Sequence, residues 1–326
     1  MRAAIHRRYG PPEVLQLVSR DIPEPKANEV QIRMVASSVT SGDWHMRKAD
    51  PFAVRLFNGL WKPKLTCLGS EVAGVVTAVG DQVSRFSIGD EVFGATGLAL
   101  GANAEYLCLA QDAPIAVKPA NISFREAAAI PFGAVTALYF LKQQAQLQPG
   151  QTVLIYGAAG AVGIYAVQIA KILGARVTAV CRSKNHDMVR RMGADEVMDY
   201  QQQDYHALDR QWDVVLDSVG KTDFNLARKV LSPHGQFLAC AGQMKEMRQL
   251  LFNALLRLLK LETRQLKMGI AIEQQADIEW FARLIESGQL RAVIDSEYPL
   301  DEIVAAHRYV EQGHKVGSVV LTFDGP

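Results

Sequence analysis

The sequence predicts an α/β protein, a compact and mostly β domain followed by a doubly wound parallel sheet, and three observations carry that prediction. The chain has 326 residues, which at roughly 150 residues per domain is enough for two ordinary cores. Up to Asn121 it is rich in short β-branched runs punctuated by glycine. From Gln151 onward, uniformly apolar strands alternate with amphipathic helices. Strands buried on both faces with helices between them require parallel crossovers.

Taken in order, the runs Glu29 to Val35, Glu71 to Val79, Glu91 to Phe93 and Ala104 to Leu109 suit strands, with turns at Gly10-Pro11, Gly80-Asp81 and Gly89-Asp90. Past Asn121 the texture changes: Ser123 with Glu126 three residues on is a capping box, and helical apolar spacing continues through Lys142. Then come TVLIY, IYAVQIAKIL, RVTAV, HDMVRRM, EVMDY, DVVLDSV, a helix around Asn225 to Leu231, and QFLACAG. The stretch Leu250 to Leu261 is interrupted by Asn253, Arg257 and Lys260. It falls well short of the ~20 apolar residues that span a bilayer and reads as an amphipathic helix. From Leu266 a helix around Ile278 to Glu286 and a last strand, GSVVLTF, finish the sequence. Periodicity assigns this tail to neither domain.

Apolar residues at 49% and charged residues at 21% exclude a disordered or collagenous bulk. Lys plus Arg number 35 against 34 for Asp plus Glu, so no global field favours nucleic acid or an anionic membrane. The pairs Arg7-Arg8 and Arg190-Arg191 make no basic patch. Cys67, Cys108, Cys181 and Cys240 form no C-x-x-C pair, so free thiols in a reducing cytoplasm are expected. The start, MRAAIHRRYG, has no apolar h-region, and no signal peptide is expected.

The segment GAAGAVG, Gly157 to Gly163, lies between the strand TVLIY and a helix expected near Ala161. Ala158 holds the first glycine position of the dinucleotide fingerprint. Gly160 would let the backbone approach a pyrophosphate, and Gly163 would let helix and strand pack closely. Ala158, Ala159, Gly160, Ala161, Val162 and Gly163 are therefore the candidate phosphate cradle, with the open N–H groups of the helix start facing the anion. One strand over, Cys181, Arg182, Ser183 and Lys184 stand where an NAD site would place Asp or Glu. Arg and Lys attract the 2′-phosphate that a carboxylate would repel, so NADPH is expected over NADH. Ser218 with Val219, and Cys240 with Ala241 and Gly242, end two further strands, where α/β sheets bind ligands.

Together with GSEVAGVVTAVG, SIGDEVFG and AAAIPFGAVTAL, these motifs resemble the medium-chain dehydrogenase/reductase superfamily, and within it the zinc-independent quinone oxidoreductase branch related to zeta-crystallin. The resemblance covers essentially the whole chain. It implies a GroES-like, β-rich catalytic domain of residues 1–121 and 266–326, with a Rossmann NADPH-binding domain of residues 122–265 between them. It further implies a homodimer or homotetramer, Thr136 near the nicotinamide, Tyr200 near the adenine, and Ser318 approaching the cofactor from the returning tail.

Zinc members of the superfamily bind metal through a C-x-x-D segment and a G-H-E segment. Here the matching places hold Thr40, in Thr40-Ser41-Gly42-Asp43, and Ser70, in Gly69-Ser70-Glu71, and neither hydroxyl is a primary zinc ligand. No functional metal is expected. Without a Lewis acid, the reaction implied is reduction of a conjugated acceptor, a quinone or α,β-unsaturated carbonyl, whose negative charge a few hydrogen-bond donors can stabilise. The candidate donors are Thr40 and His45, in the family stretch Ser38 to His45 beside the substrate. His45 is the one group there that titrates near neutrality and could protonate an enolate. Trp44 is expected to line or pack, and Asp43 to buttress the loop. His186, His206, His234, His307 and His314 make no metal spacing or triad and are expected at the surface. The alternative function is a protein that binds NADPH without turnover, as a redox sensor or interaction partner.

Overall fold

The computed structural model describes residues 1–240 and 244–323. The chain forms two compact units, Met1–Phe132 with Ile272–Pro326, and Gly133–Ala271. The sequence reading puts the crossings after residues 121 and 265, and contacts correct both. Helix Phe124–Ala128 packs on strands Glu29–Val39 and Glu71–Val79 of the first unit. Strand Gln265–Met268 pairs in parallel with Leu231–Ala239, which keeps Leu266 to Met268 in the second unit.

In the first unit a seven-stranded sheet runs in the order Ile294–Pro299, Ser318–Thr322, Glu29–Val39, Glu71–Val79, Glu91–Ala95, Ile115–Val117, with Tyr106–Ala110 also paired to Glu29–Val39. Alternation along the long strand puts Val30, Ile32 and Met34 in the core with Val72, Val76, Val92 and Ile115, the period-2 pattern of a half-buried strand. The last strand pairs antiparallel with Glu29–Val39, Val319 opposite Val39. That pairing fixes the tail, which periodicity left open. The capping box is present: Ser123 N–H donates to Glu126 Oε2 (2.8 Å), and Glu126 N–H to Ser123 Oγ (3.2 Å).

The second unit is a six-stranded parallel sheet in the order Glu196–Met198, Arg176–Val180, Thr152–Tyr156, Trp212–Asp217, Leu231–Ala239, Gln265–Met268. The order reverses between Thr152–Tyr156 and Trp212–Asp217, the switch point at which such sheets bind ligands. Val153, Leu154, Ile155, Val214, Val215 and Leu216 are all fully buried, as strands covered on both faces must be. The helix expected over Asn225 to Leu231 is a single turn, Phe224–Ala227, because Leu231 already begins the next strand. No helix among the described residues is long and apolar enough to cross a membrane.

His307 departs from its expected surface position and is fully buried. It lies on helix Ile303–Glu311, whose Ile303, Ala306 and Val310 face the core at helical spacing, and His307 falls on the same stripe. Its neighbour is Arg47, also fully buried. The Arg47 guanidinium donates to His307 Nδ1 (3.4 Å), Gly10 O (2.6 Å) and Glu311 Oε2 (2.7 Å). Burial pushes His307 down to about 3, with the Arg47 charge acting in the same direction, so the imidazole stays neutral and accepts. Arg47→Ala should lower the unfolding free energy by about 3 kcal/mol, because it leaves a carbonyl and an imidazole without their donor. Urea denaturation measures this, and a loss under about 1 kcal/mol would mean that the guanidinium is not a structural tie.

Candidate functional site

The glycine corner is built by close backbone approach. Gly157 has φ +79°, and a Cβ there would come within 2.7 Å of Ser218 Oγ and Val219 Cγ1. A Cβ on Gly163 would lie 2.2 Å from Gly157 O, so helix Ala161–Ile172 can seat on the turn only with glycine at that place. Gly160 differs. Its Cβ would meet no protein atom nearer than 3.4 Å, so internal packing does not explain this glycine. The helix carries no side-chain cap, and its first internal bond is from Ile164 N–H to Gly160 O (3.0 Å). The N–H groups of Ala161, Val162 and Gly163 thus have no acceptor within the helix. Ala158 and Ala159 are buried beneath this end. An open backbone face at an uncapped helix N-terminus is the donor set a pyrophosphate requires.

Two neighbouring strand ends frame this corner. Ser218 Oγ donates to Tyr156 O (2.9 Å). Asp217, buried just before it, accepts from the N–H groups of Val219, Gly220 and Thr222, each at 2.9 Å. Burial raises the Asp217 carboxyl and these N–H groups oppose the shift. Cys240 N–H donates to Asp217 O (3.0 Å), and burial pushes its thiol well up, so it is not a thiolate. Ala241 and Gly242 lie outside the described residues. Gly133 was not singled out in the sequence, yet its Cβ would lie 2.2 Å from Ala161 O. Its helix, Pro131–Leu138, therefore touches the start of the phosphate helix and carries the half-buried Thr136 one turn on.

One strand over, Arg182 Nε donates to Tyr200 Oη (2.8 Å), and Tyr200 is tilted against Tyr156 with ring centroids 6.0 Å apart. Ser183 and Lys184 are exposed, whereas Cys181 is buried. Burial raises the Cys181 thiol to about 11, so Cys181 presents backbone, not sulfur chemistry. Asp199, which the sequence reading missed, accepts from the N–H groups of Ser183 and Gln201, both at 2.9 Å. A 2′-phosphate at this turn would find the Arg182 and Lys184 charges, while Asp199 engages both the Ser183 N–H and its hydroxyl.

The substrate-side candidates belong to the first unit. Thr40 caps helix Ser41–Lys48. Its hydroxyl donates to Asp43 Oδ2 (2.8 Å) and accepts from Asp43 N–H (3.3 Å), and it is 4% exposed. The Thr40 hydroxyl, expected among the substrate-side donors, is thus bonded to Asp43. Asp43 buttresses the loop, its Oδ1 accepting from Gly69 N–H (2.9 Å). His45 stacks on Trp44, centroids 3.7 Å apart, and its Nδ1 is bonded to Asp50 O. A carbonyl partner requires the proton on Nδ1, which leaves Nε2 as the ring nitrogen open to proton exchange. Ser318 Oγ donates to Ala129 O (2.7 Å) and is 6% exposed, so its hydroxyl proton is committed as well.

The residues at the zinc positions do not fit a metal. Asp43 is spent on Thr40 and Gly69, Glu71 Oε1 accepts from Phe132 N–H (2.6 Å), and a threonine and a serine replace the primary ligands. Among the described residues no three His, Cys, Asp or Glu side chains cluster in a way that could hold an ion. A surface hollow of about 310 Å³ lined by Arg85, Phe86, Glu279 and Arg283 contains none of the candidate residues.

Residues 26–120 match the family model described as alcohol dehydrogenase GroES-like domain, and residues 192–321 the one described as zinc-binding dehydrogenase. The chain is 32% identical to a quinone oxidoreductase of Pseudomonas aeruginosa, over 96% of this chain and 97% of that one. It is 31% identical to a 2-methylene-furan-3-one reductase of Solanum lycopersicum, over 98% of this chain and 79% of the relative. Among solved structures, it is similar to the Escherichia coli quinone oxidoreductase complexed with NADPH, with a TM-score of 0.83 and 26% identity, covering 99% of this chain and 100% of that one.

The two glycines of the corner should respond differently to a methyl group. Gly163→Ala should cost about 2 kcal/mol or more, since backbone must move, and Gly160→Ala less than about 1 kcal/mol. Thermal and urea denaturation of both variants measure the contrast. Equal losses would contradict the open space assigned to Gly160.

Proposed function

The chain belongs to the medium-chain dehydrogenase/reductase superfamily, in its quinone oxidoreductase branch, and is an oxidoreductase; we propose that it uses NADPH, without zinc, to reduce a quinone or an α,β-unsaturated carbonyl. The single observation that carries the cofactor half is the uncapped helix start beside Gly160, with two cations one strand over. Ala161, Val162 and Gly163 would present N–H groups to the pyrophosphate, and Arg182 and Lys184 would hold the 2′-phosphate in charge-assisted bonds. Tyr200, bonded to Arg182, orients that guanidinium. Bound NADPH supplies a hydride.

The acceptor half is supported by the donor chemistry of the first unit. Thr40, Ser70, Asp43 and Glu71 offer no Lewis-acid site, so a simple aldehyde would lack its usual stabilisation. A conjugated acceptor spreads the incoming charge onto a carbonyl oxygen, which ordinary hydrogen-bond donors can serve. The quinone and furanone reductases to which the chain is similar act on this class. The open strand edge at Gln265–Met268 and the exposed Leu251, Phe252, Leu255 and Leu258 of the preceding helix support a homo-oligomer. Four free thiols are in keeping with a reducing compartment such as the cytoplasm.

Two measurements test this reading. Replacing Arg182 and Lys184 together with Ala should weaken NADPH binding by about 1 to 3 kcal/mol and spare NADH. Isothermal titration decides this, and equal losses for both cofactors would refute the assignment. Anaerobic turnover with NADPH across a panel of quinones and enones should give activity that chelators leave unchanged. Silence across the panel, or activity that chelation abolishes, would contradict the function proposed.

A further inference from the structure

One short helix of the first unit is amphipathic with its polarity inverted. Helix Ala53–Asn58 turns Val54, Arg55 and the buried Asn58 towards the protein, and leaves Phe52, Ala53, Leu56 and Phe57 to solvent, which helical spacing places on one continuous face. Leu60 and Trp61 extend that face past the helix, and its five large apolar side chains are between 44% and 86% exposed. Hydrogen bonds fix the segment from its inner side. Asn58 Oδ1 accepts from the N–H groups of Lys64 (3.1 Å) and Leu65 (2.8 Å). Tyr9 Oη donates to Gly59 O (2.7 Å), and Arg55 donates to Leu60 O (3.0 Å) while lying 4.6 Å from the centroid of the Tyr9 ring. Gly59 has φ +108°, and a Cβ there would come within 2.4 Å of Lys62 O, so the turn closes only with glycine. Polar groups are thus bonded inward and apolar ones held out against water. A fixed, exposed apolar face of this kind marks an interaction surface.

The charge around this face selects the partner. From Lys48 to Lys64 the chain carries Lys48, Arg55, Lys62 and Lys64 against one carboxylate, Asp50, and Lys48 is already paired with Glu311 (3.1 Å). The fold adds cations that spacing in the sequence does not reveal. Ile5 bridges Cys67, and His6 N–H donates to Thr66 O (2.8 Å), which lays the exposed Arg7 and Arg8 alongside the same segment. Arg7 and Arg8, which make no basic patch in the sequence, join Lys62 and Lys64 in the folded chain. An apolar centre with a basic margin meets the two components of a lipid surface, hydrocarbon and anionic headgroups. Trp61 is of the residue type enriched at the level between them. A second copy of the chain is a poor occupant, since an isologous contact would set these cations against themselves.

We propose that the Phe52–Trp61 face docks on an anionic lipid bilayer, its apolar side chains entering the headgroup boundary and Arg7, Arg8, Lys62 and Lys64 facing the anionic headgroups. This is attachment at the surface and not a span. The near-zero net charge of the whole chain supplies no general attraction, so the attraction is local and is screened by salt. Apolar quinones and enones partition into the same lipid phase, so docking would concentrate the acceptors proposed above around the protein. Attachment itself does not depend on the reductase reading.

Co-sedimentation of the full chain with lipid vesicles tests this. The wild type should bind vesicles of phosphatidylcholine with about 30% phosphatidylserine at least about tenfold more tightly than phosphatidylcholine alone, and the difference should fade as salt rises from about 0.1 M to about 0.5 M. Leu56→Ser combined with Trp61→Ser should weaken attachment about tenfold or more. Lys62→Glu combined with Lys64→Glu should abolish the preference for the anionic vesicles. All four side chains are exposed, so melting temperatures should stay at the wild-type value. Tryptophan emission should shift to the blue when anionic vesicles are added, and Trp61→Phe should remove that shift while keeping attachment within about threefold. A wild type that stays in the supernatant at about 1 mM anionic lipid overturns the proposal, as does equal attachment to both lipid compositions or attachment that the serine pair leaves unchanged. Dissociation of a dimer by the serine pair, with no vesicle binding by the wild type, would assign the face to a second copy and overturn it as well.

Discussion

The second unit is organised by one constraint, the contact of backbone with backbone where helix Ala161–Ile172 meets the turn after Thr152–Tyr156. Gly163 sits so close to Gly157 O that no side chain fits. Gly157 in turn must clear Ser218 and Val219, and Gly133 must clear Ala161 O. Three glycines thus let two helices and two strand ends converge on one point. The convergence leaves the N–H groups of Ala161, Val162 and Gly163 without an acceptor in the helix. Gly160 is the exception, because its missing side chain leaves room that the protein itself does not fill.

Buried carboxylates do the corresponding work in the loops. Asp217 gathers three N–H groups of the Ser218–Thr222 turn, Asp199 holds Ser183 and Gln201, Asp43 holds Gly69, and Glu71 holds Phe132. Each loses hydration and recovers it from fixed backbone donors. The loops that carry candidate ligand residues are therefore set by acids bonded to their backbone. In the first unit Asp43 and Glu71 are spent on backbone N–H groups in the same way.

Periodicity and glycine spacing made most of the fold and the glycine corner legible. The strand TVLIY, the helix from Ala161 and the Ser123/Glu126 box stand where their patterns placed them, because each is dictated by local chemistry. Boundaries were less legible. A helix such as Phe124–Ala128 joins whichever sheet it packs on, and local sequence does not record that. The buried His307 could have been found, since it shares the helical stripe of Ile303, Ala306 and Val310. Arg47 and Asp199 could not, because their roles come from partners distant in sequence, such as Glu311 for Arg47. Thr40 and His45 were chosen for their chemical type, and the hydrogen bonds that commit their protons exist only in the folded chain.

The account is tested most directly by titrating NADPH and NADH calorimetrically into the wild type and into Gly160→Val, with the melting temperature of each variant alongside. The account requires that the wild type bind NADPH at least about tenfold more tightly than NADH, a difference of about 1.4 kcal/mol. It also requires that the valine variant stay folded yet lose both ligands, because its side chain fills the space reserved for the pyrophosphate. NADPH binding that survives Gly160→Val unchanged, or a wild type that does not distinguish the two cofactors, would contradict it.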